Sequence, residues 1–233
     1  MIRSLRAASL ALVLATSMAA AQDFYAGMVA YRSGDFATAL REWTPLAAQG
    51  DATAQYNLGL MYANGEGVPQ DHAEAMKWYR LAAAQGDAGA QFALGLMYAD
   101  GQGVPQDHVA AVKWYRLAAA QGHAAAQSNL GLRYAIGQGV PQDDVAAVKW
   151  YRLAAAQGNA AAQSNLGVMY ANGEGVPQDF ITAHMWFNLA AANGNLKANA
   201  ARDEVAAKMA AADIAEAQRR AKLCFASTYK TCD

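Results

Sequence analysis

The sequence predicts an all-α fold, an α-α superhelical solenoid of stacked helix pairs, and three observations carry that prediction. The first is self-similarity: residues 51–86, 87–122, 123–158 and 159–194 align without gaps as four segments of 36 residues. A period of this length is the signature of a repeat architecture. The second is punctuation that recurs inside the period. Leu-Gly stands at Leu58-Gly59, Leu94-Gly95, Leu130-Gly131 and Leu166-Gly167, and a Gly-x-Gly-Val-Pro string at 65–69, 101–105, 137–141 and 173–177. The third is a tryptophan in constant register, at Trp78, Trp114, Trp150 and Trp186. The second and third segments differ at only seven positions, so the period is real.

Residues 1–21 stand apart from the repeats. Arg3 and Arg6 give a basic start, an apolar run reaches Leu14, and Ala19, Ala20 and Ala21 supply small residues. This is the pattern of a secretory signal peptide, with cleavage expected between Ala21 and Gln22. A membrane anchor needs about 18 apolar residues, which this run does not reach, and no later stretch is apolar enough to span a bilayer. The mature chain is expected outside the cytoplasm, periplasmic in the first reading and secreted in the second. An oxidising destination implies that the two cysteines, Cys224 and Cys232, pair. Loss of Arg3 and Arg6 takes the formal charge from −1 to −3. That mild value implies neither nucleic acid nor an anionic membrane as a partner.

Residues 22–50 read as a shortened helix pair. Tyr31-Arg32-Ser33-Gly34-Asp35 makes a tight turn, Trp43 and Leu46 take core roles, and Pro45 is expected to distort the second helix. Each full repeat then reads as two antiparallel helices, A and B. In the first, helix A runs over 52–63 behind an Asp51 cap. Gly65 and Gly67 end it, and Pro69 holds Val68 extended. Asp71 caps helix B, and Glu74 three residues on predicts a capping box. Asp107, Asp143 and Asp179 are the equivalent caps, and Gly86, Gly122, Gly158 and Gly194 end the B helices. On helix A the constant Ala54, Gln55, Leu58, Gly59 and Tyr62 share one side at about 100° per residue. Ala75, Trp78, Tyr79 and Ala82 form the matching stripe on helix B, so the tryptophans are assigned to the core. Residues 195–233 read as two capping helices, 196–209 and 213–225, the second capped by Asp213 with Glu216 at its third position. Arg202, Asp203, Glu204, Arg219, Arg220 and Lys222 make this end polar, as the end of a solenoid must be.

The full motif string resembles the Sel-one-like repeat family, a relative of tetratricopeptide repeats with a longer interhelical loop. The resemblance covers the four full repeats. It implies a right-handed superhelix of tetratricopeptide-like helix pairs whose A helices line a concave groove. It also implies an adaptor function in signalling or host–microbe contact. Some cysteine-rich relatives bind or hydrolyse β-lactams, but those carry paired cysteines in their repeats, and the repeats here contain none.

Motifs for chemistry are sparse. His72, His108 and Asp144 occupy one register position in successive B helices, and packed helices place such residues too far apart for ligands at about 2.0–2.2 Å from zinc. Ser227-Thr228-Tyr229-Lys230 matches the S-x-x-K string of penicillin-binding enzymes, yet it falls in a terminal tail between two cysteines rather than in a cleft. The Gly-x-Gly-Val-Pro loops lack the lysine that phosphate binding needs. The chain is therefore read as a non-enzyme with no cofactor and no metal.

The positions that change between copies lie opposite the constant stripe of helix A and match the groove positions of tetratricopeptide proteins. They are Thr53, Tyr56, Asn57 and Leu60 in the first repeat, and Phe92, Leu96 and Asp100 in the second. Ser128, Asn129, Leu132 and, at the edge, Arg133 follow in the third, then Ser164, Asn165, Val168 and Asn172 in the fourth. Arg133 replaces Met61, Met97 and Met169 of the other copies. Aromatic residues, arginine and methionine favour protein interfaces, and asparagine can clamp a peptide backbone. The expected partner is a protein or peptide. Lys77, Arg80, Lys113, Arg116, Lys149 and Arg152 are assigned to a solvated face of the B helices.

Overall fold

The computed structural model describes residues 23–229 and Cys232; the signal segment and its cleavage point at Ala21 and Gln22 lie outside the described residues. Every regular element among these residues is a helix, and consecutive helices pair as in an α-α solenoid. The chain divides after Pro105 into two compact units. The first holds α1 (23–32), α2 (Phe36–Ala48), α3 (Ala52–Asn64), α4 (His72–Ala84) and α5 (Ala88–Asp100). The second holds α6 (His108–Ala120), α7 (Ala124–Ile136), α8 (Asp144–Ala155), α9 (Ala160–Asn172), α10 (Phe180–Ala192), α11 (Lys197–Ala206) and α12 (Ala211–Ala226).

The helices start and stop for the reasons the sequence gives. Asp51 and Asp87 each accept the third amide of their helix, and His123 and Asn159 do the same with ring and amide acceptors. Asp71, Asp107, Asp143 and Asp179 cap the B helices. The capping box is only half formed, because the Glu74 carboxylate turns outward to Lys77 at 2.5 Å. Three of the Gly-x-Gly-Val-Pro loops close when the amide of the next cap donates to a tyrosine carbonyl: Asp71 to Tyr62, Asp143 to Tyr134 and Asp179 to Tyr170. The second glycine of the loop must lack a side chain. A Cβ on Gly139 would stand 2.2 Å from the His108 carbonyl oxygen, and one on Gly175 2.3 Å from that of Asp144.

Packing within a pair rests on a second close approach. A Cβ on Gly59 would meet the Tyr79 ring at 2.5 Å, and Gly131 and Gly167 face Tyr151 and Phe187 in the same way. Burial pushes the Tyr79 and Tyr151 hydroxyls well above the usual tyrosine range. The buried side of helix A is wider than the expected stripe: Met61, Met97 and Met169 are buried, and Tyr62 is half-buried. The tryptophan assignment also changes. Trp186 is buried, but Trp78, Trp114 and Trp150 are half-buried, and the buried ring of those B helices is Tyr79, Tyr115 or Tyr151. The tyrosine, one residue further round the helix, faces the glycine; the tryptophan lies on the flank.

Two polar connections repeat alongside this packing. Each A helix buries a glutamine whose amide donates to a carbonyl of the preceding helix: Gln55 to Ala47, Gln91 to Ala83, Gln127 to Ala119 and Gln163 to Ala155. The oxygens of Gln55, Gln127 and Gln163 accept from Gln85, Gln157 and Asn193 respectively, each at 2.8 Å. Arg80, Arg116 and Arg152, expected to be merely solvated, donate to the hydroxyls of Tyr98, Tyr134 and Tyr170 on the next A helix.

The ends depart further from expectation. Pro45 lies inside α2, which runs on unbroken to Ala48. Trp43 donates to the Phe24 carbonyl, and its ring leaves no room for a Cβ on Gly27. Tyr31 donates to Glu66, and burial together with that bond pushes its hydroxyl up to about 12. At the other end α11 is shorter than read. Helix α12 starts at Ala211 with no side-chain cap, so Asp213 lies inside its first turn. Glu216 binds Arg219 and Arg220 instead, which holds its carboxyl down at about 2. Cys224 and Cys232 form a disulfide that closes the tail into a loop. Within it Tyr229 donates to Asn193 at 2.8 Å and lays its ring against Gly158.

Two measurements test this packing. Leu166 is fully buried and Leu153 is 45% exposed. Leu166→Ala should cost about 2–5 kcal/mol in urea unfolding, and Leu153→Ala no more than about 0.5 kcal/mol; equal losses would contradict the core described. Reduction of the disulfide should lower the stability of the second unit by about 2–3 kcal/mol, the value for so short a loop. An unchanged urea midpoint in reductant would detach the tail from the folded unit.

Candidate partner-binding surface

The variable face of the A helices is best formed in the first unit. Tyr56 and Leu60 of α3 and Phe92 and Leu96 of α5 line one cleft of about 220 Å³, with Tyr79 and Gly89 also in its wall. Four positions assigned to the groove from sequence thus meet in one cavity. Tyr56 packs at 5.9 Å against the Tyr79 ring. Burial, then the Asp87 charge, raises its hydroxyl above the usual tyrosine value. A Cβ on Gly89 would stand 3.1 Å from the Tyr56 ring, so this repeat's glycine, where others have Thr53, Ala125 and Ala161, makes room for it. Thr53 and Asp100 are exposed at the margins, and Asn57 is half-buried.

In the second unit the corresponding positions are less uniform. Asn129, Leu132, Ser164 and Asn165 are half-buried, and Val168 and Asn172 are exposed. Asn165 is hydrogen-bonded to the Tyr151 hydroxyl, and Asn172 donates to Glu174. Ser128 is only 8% exposed and offers little to a partner, which corrects its assignment to the groove. Arg133 sits half-buried in the methionine register rather than at an open edge, and it donates to Gln138. Counting 100° per residue locates a face but not the tilt of the helix against its neighbours. Helix A has helices packed on both flanks, and its buried arc takes in the methionine position and Ser128.

The other candidates resolve simply. Among the described residues no group of three His, Cys, Asp or Glu could hold a metal ion. The Ser227 hydroxyl donates to the Cys224 carbonyl at the end of α12, and Lys230 lies outside the described residues. No helix among the described residues is long and apolar enough to cross a membrane.

Stacked helix pairs with a constant packing side and a variable outer side define a helical repeat scaffold. The chain belongs to the Sel1 repeat family, whose model matches residues 52–87, 88–123, 124–159 and 160–195. Among solved structures it is similar to a Sel1 repeat protein from Oxalobacter formigenes, at 37% identity and a TM-score of 0.69, over 74% of this chain and 71% of that one. It is also similar to c5321, a protective antigen of uropathogenic Escherichia coli strains with an SLR fold. There the identity is 34% and the TM-score 0.77, over 87% of this chain but 45% of that one. A Sel1 repeat chain from Klebsiella pneumoniae matches at 25% identity and a TM-score of 0.52, over 80% of this chain and 93% of its own. Comparison with curated proteins gives no match. Scaffolds of this family commonly serve protein–protein interaction and are typically not enzymes.

Proposed function

We propose that this chain is an exported scaffold that binds a protein or peptide partner through the variable face of its A helices. The observation that carries the reading is the cleft in the first unit, where Tyr56, Leu60, Phe92 and Leu96 present an aromatic and aliphatic recess. Recesses of this kind take the buried anchor side chains that dominate binding energy at interfaces. The basic, apolar and small-residue segments of residues 1–21 support export, and a disulfide suits an oxidising compartment. A periplasmic role in an envelope signalling or assembly complex fits these features. The likeness to a protective antigen favours a second reading, a secreted factor that meets host proteins. The β-lactam alternative gains nothing from a Ser227 hydroxyl bonded to its own helix. The scaffold acts by binding rather than by chemistry.

Crosslinking of the mature chain in its own cell envelope should recover a partner. Phe92→Ala with Leu96→Ala should weaken that partner by about 2 kcal/mol or more, while Leu81→Ala, half exposed on a B helix, should leave it unchanged. The reverse ranking would move the site off the A helices. Intact-mass measurement of the exported protein should show Gln22 at the N-terminus; a chain that retains Met1 would overturn the export reading.

A further inference from the structure

A second cavity lies in the other unit, away from the A-helix face. It is a cleft of about 380 Å³ between α10 and α12, lined by Asn188, Leu189 and Ala192 of α10 and by Gln218, Ala221, Lys222, Phe225 and Ala226 of α12. Its size falls in the range of small-ligand pockets, which are mostly apolar with a few placed polar groups. Residues 218–226 span about 12 Å along α12 at 1.5 Å per residue, so the cleft is long enough for a medium-length aliphatic chain.

One cation, the exposed Lys222, lines this cleft. Among the described residues of α11 and α12, Arg202 pairs with Asp203, Lys208 with Glu204, and Arg219 and Arg220 with Glu216. Lys222 has no acidic partner within ion-pair distance among the described residues, yet it is the cation that lines the cleft. Gln218, one turn earlier on the same face of α12, adds an amide. An apolar trough with one amide and one cation that lacks an acidic partner among the described residues is complementary to a single negative charge on an apolar chain.

The walls are fixed before any ligand arrives. Asn188 is held 3.1 Å from the buried His184, and its oxygen accepts from Arg202. Phe225 packs edge-on at 5.9 Å against Tyr229, which is anchored to Asn193 inside the disulfide-closed loop. A preformed wall reduces the ordering cost of binding. We infer that the cleft between α10 and α12 is a binding site for a medium-chain aliphatic monocarboxylate, with its carboxylate on Lys222 and Gln218 and its chain against the exposed Ala192, Phe225 and Ala226.

Calorimetric titration of the oxidised chain with octanoate tests this, with octan-1-ol as the uncharged comparison. One saturable site is expected. Loss of a hydrogen bond to a charged group corresponds to about tenfold or more in affinity, so both Lys222→Gln and the exchange of octanoate for octanol should weaken binding about tenfold. Ala192→Phe, at an exposed position in the wall, should abolish octanoate binding by filling the trough. Circular dichroism of both variants should match the parent. Absence of octanoate binding by the parent overturns the inference, as does parent-like binding by Ala192→Phe. If a peptide with a carboxy-terminal leucine saturates the cleft and octanoate does not, the occupant is a protein terminus and the inference fails.

Discussion

The interaction on which the repeats depend is the buried glutamine that each A helix extends to the helix before it. An amide buried without partners is costly, by about 1–3 kcal/mol in protein mutational data, and here both ends of the amide are used. Gln55 gives its Nε2 to the Ala47 carbonyl and takes Gln85 on its oxygen; Gln163 does the same with Ala155 and Asn193. Apolar packing alone would tolerate a slide of one helix along another. A hydrogen bond to one specified carbonyl does not, because a shift by a residue leaves a donor and an acceptor unpaired in a dry interface. The glutamine therefore sets register, and the close approach of glycine to a tyrosine or phenylalanine ring sets distance.

With register and distance fixed by a few constant residues, the rest of helix A is free to differ. Phe92 and Ser128 occupy equivalent positions, as do Gly89 and Ala125, in two repeats that are otherwise nearly the same. Such change is tolerated because these positions lie off the glycine–ring contact and off the glutamine bond. The Arg–Tyr bonds add a further tie from helix B to the next helix A. The constant packing residues and most of the variable residues thus lie on different sides of the same helix. The cleft at Tyr56 and Phe92 can vary without the repeat coming apart.

Most of the architecture was legible in the sequence because repetition separates what is constant from what is not. The period, the caps at Asp71, Asp143 and Asp179, and the glycine turns followed from local rules. Side-chain burial was less legible. Trp78 and Tyr79 are neighbours, both constant and both large, and only the position of Gly59 across the pair decides that the tyrosine goes inside. Met61 turned inward because helix A packs against helices on both flanks, so its buried arc is wider than one stripe. Ser128 was misassigned for the same geometrical reason. The glutamines were visible as constant residues, yet their partners lie 8 and 30 residues away, beyond the reach of local rules.

The C-terminal end shows what the repeat needs when it stops. At the end of α10 the Asn193 amide donates to Gln163, as Gln157 does to Gln127 one repeat earlier, and its own oxygen still needs a donor. In place of another repeat the chain supplies Tyr229, 36 residues after Asn193, and its hydroxyl satisfies the Asn193 oxygen. The tail reaches that point through Thr228 and Tyr229, both at positive φ, a conformation that costs energy for residues other than glycine. A free tail would relax out of it. Closing the loop between Cys224 and Cys232 restricts that escape, since the cross-link removes much of the freedom the open tail would have. The disulfide, the left-handed turn and the tyrosine act as one cap: the covalent bond holds the backbone where the hydroxyl reaches the Asn193 oxygen, and the same bond restrains Phe225 beside Tyr229.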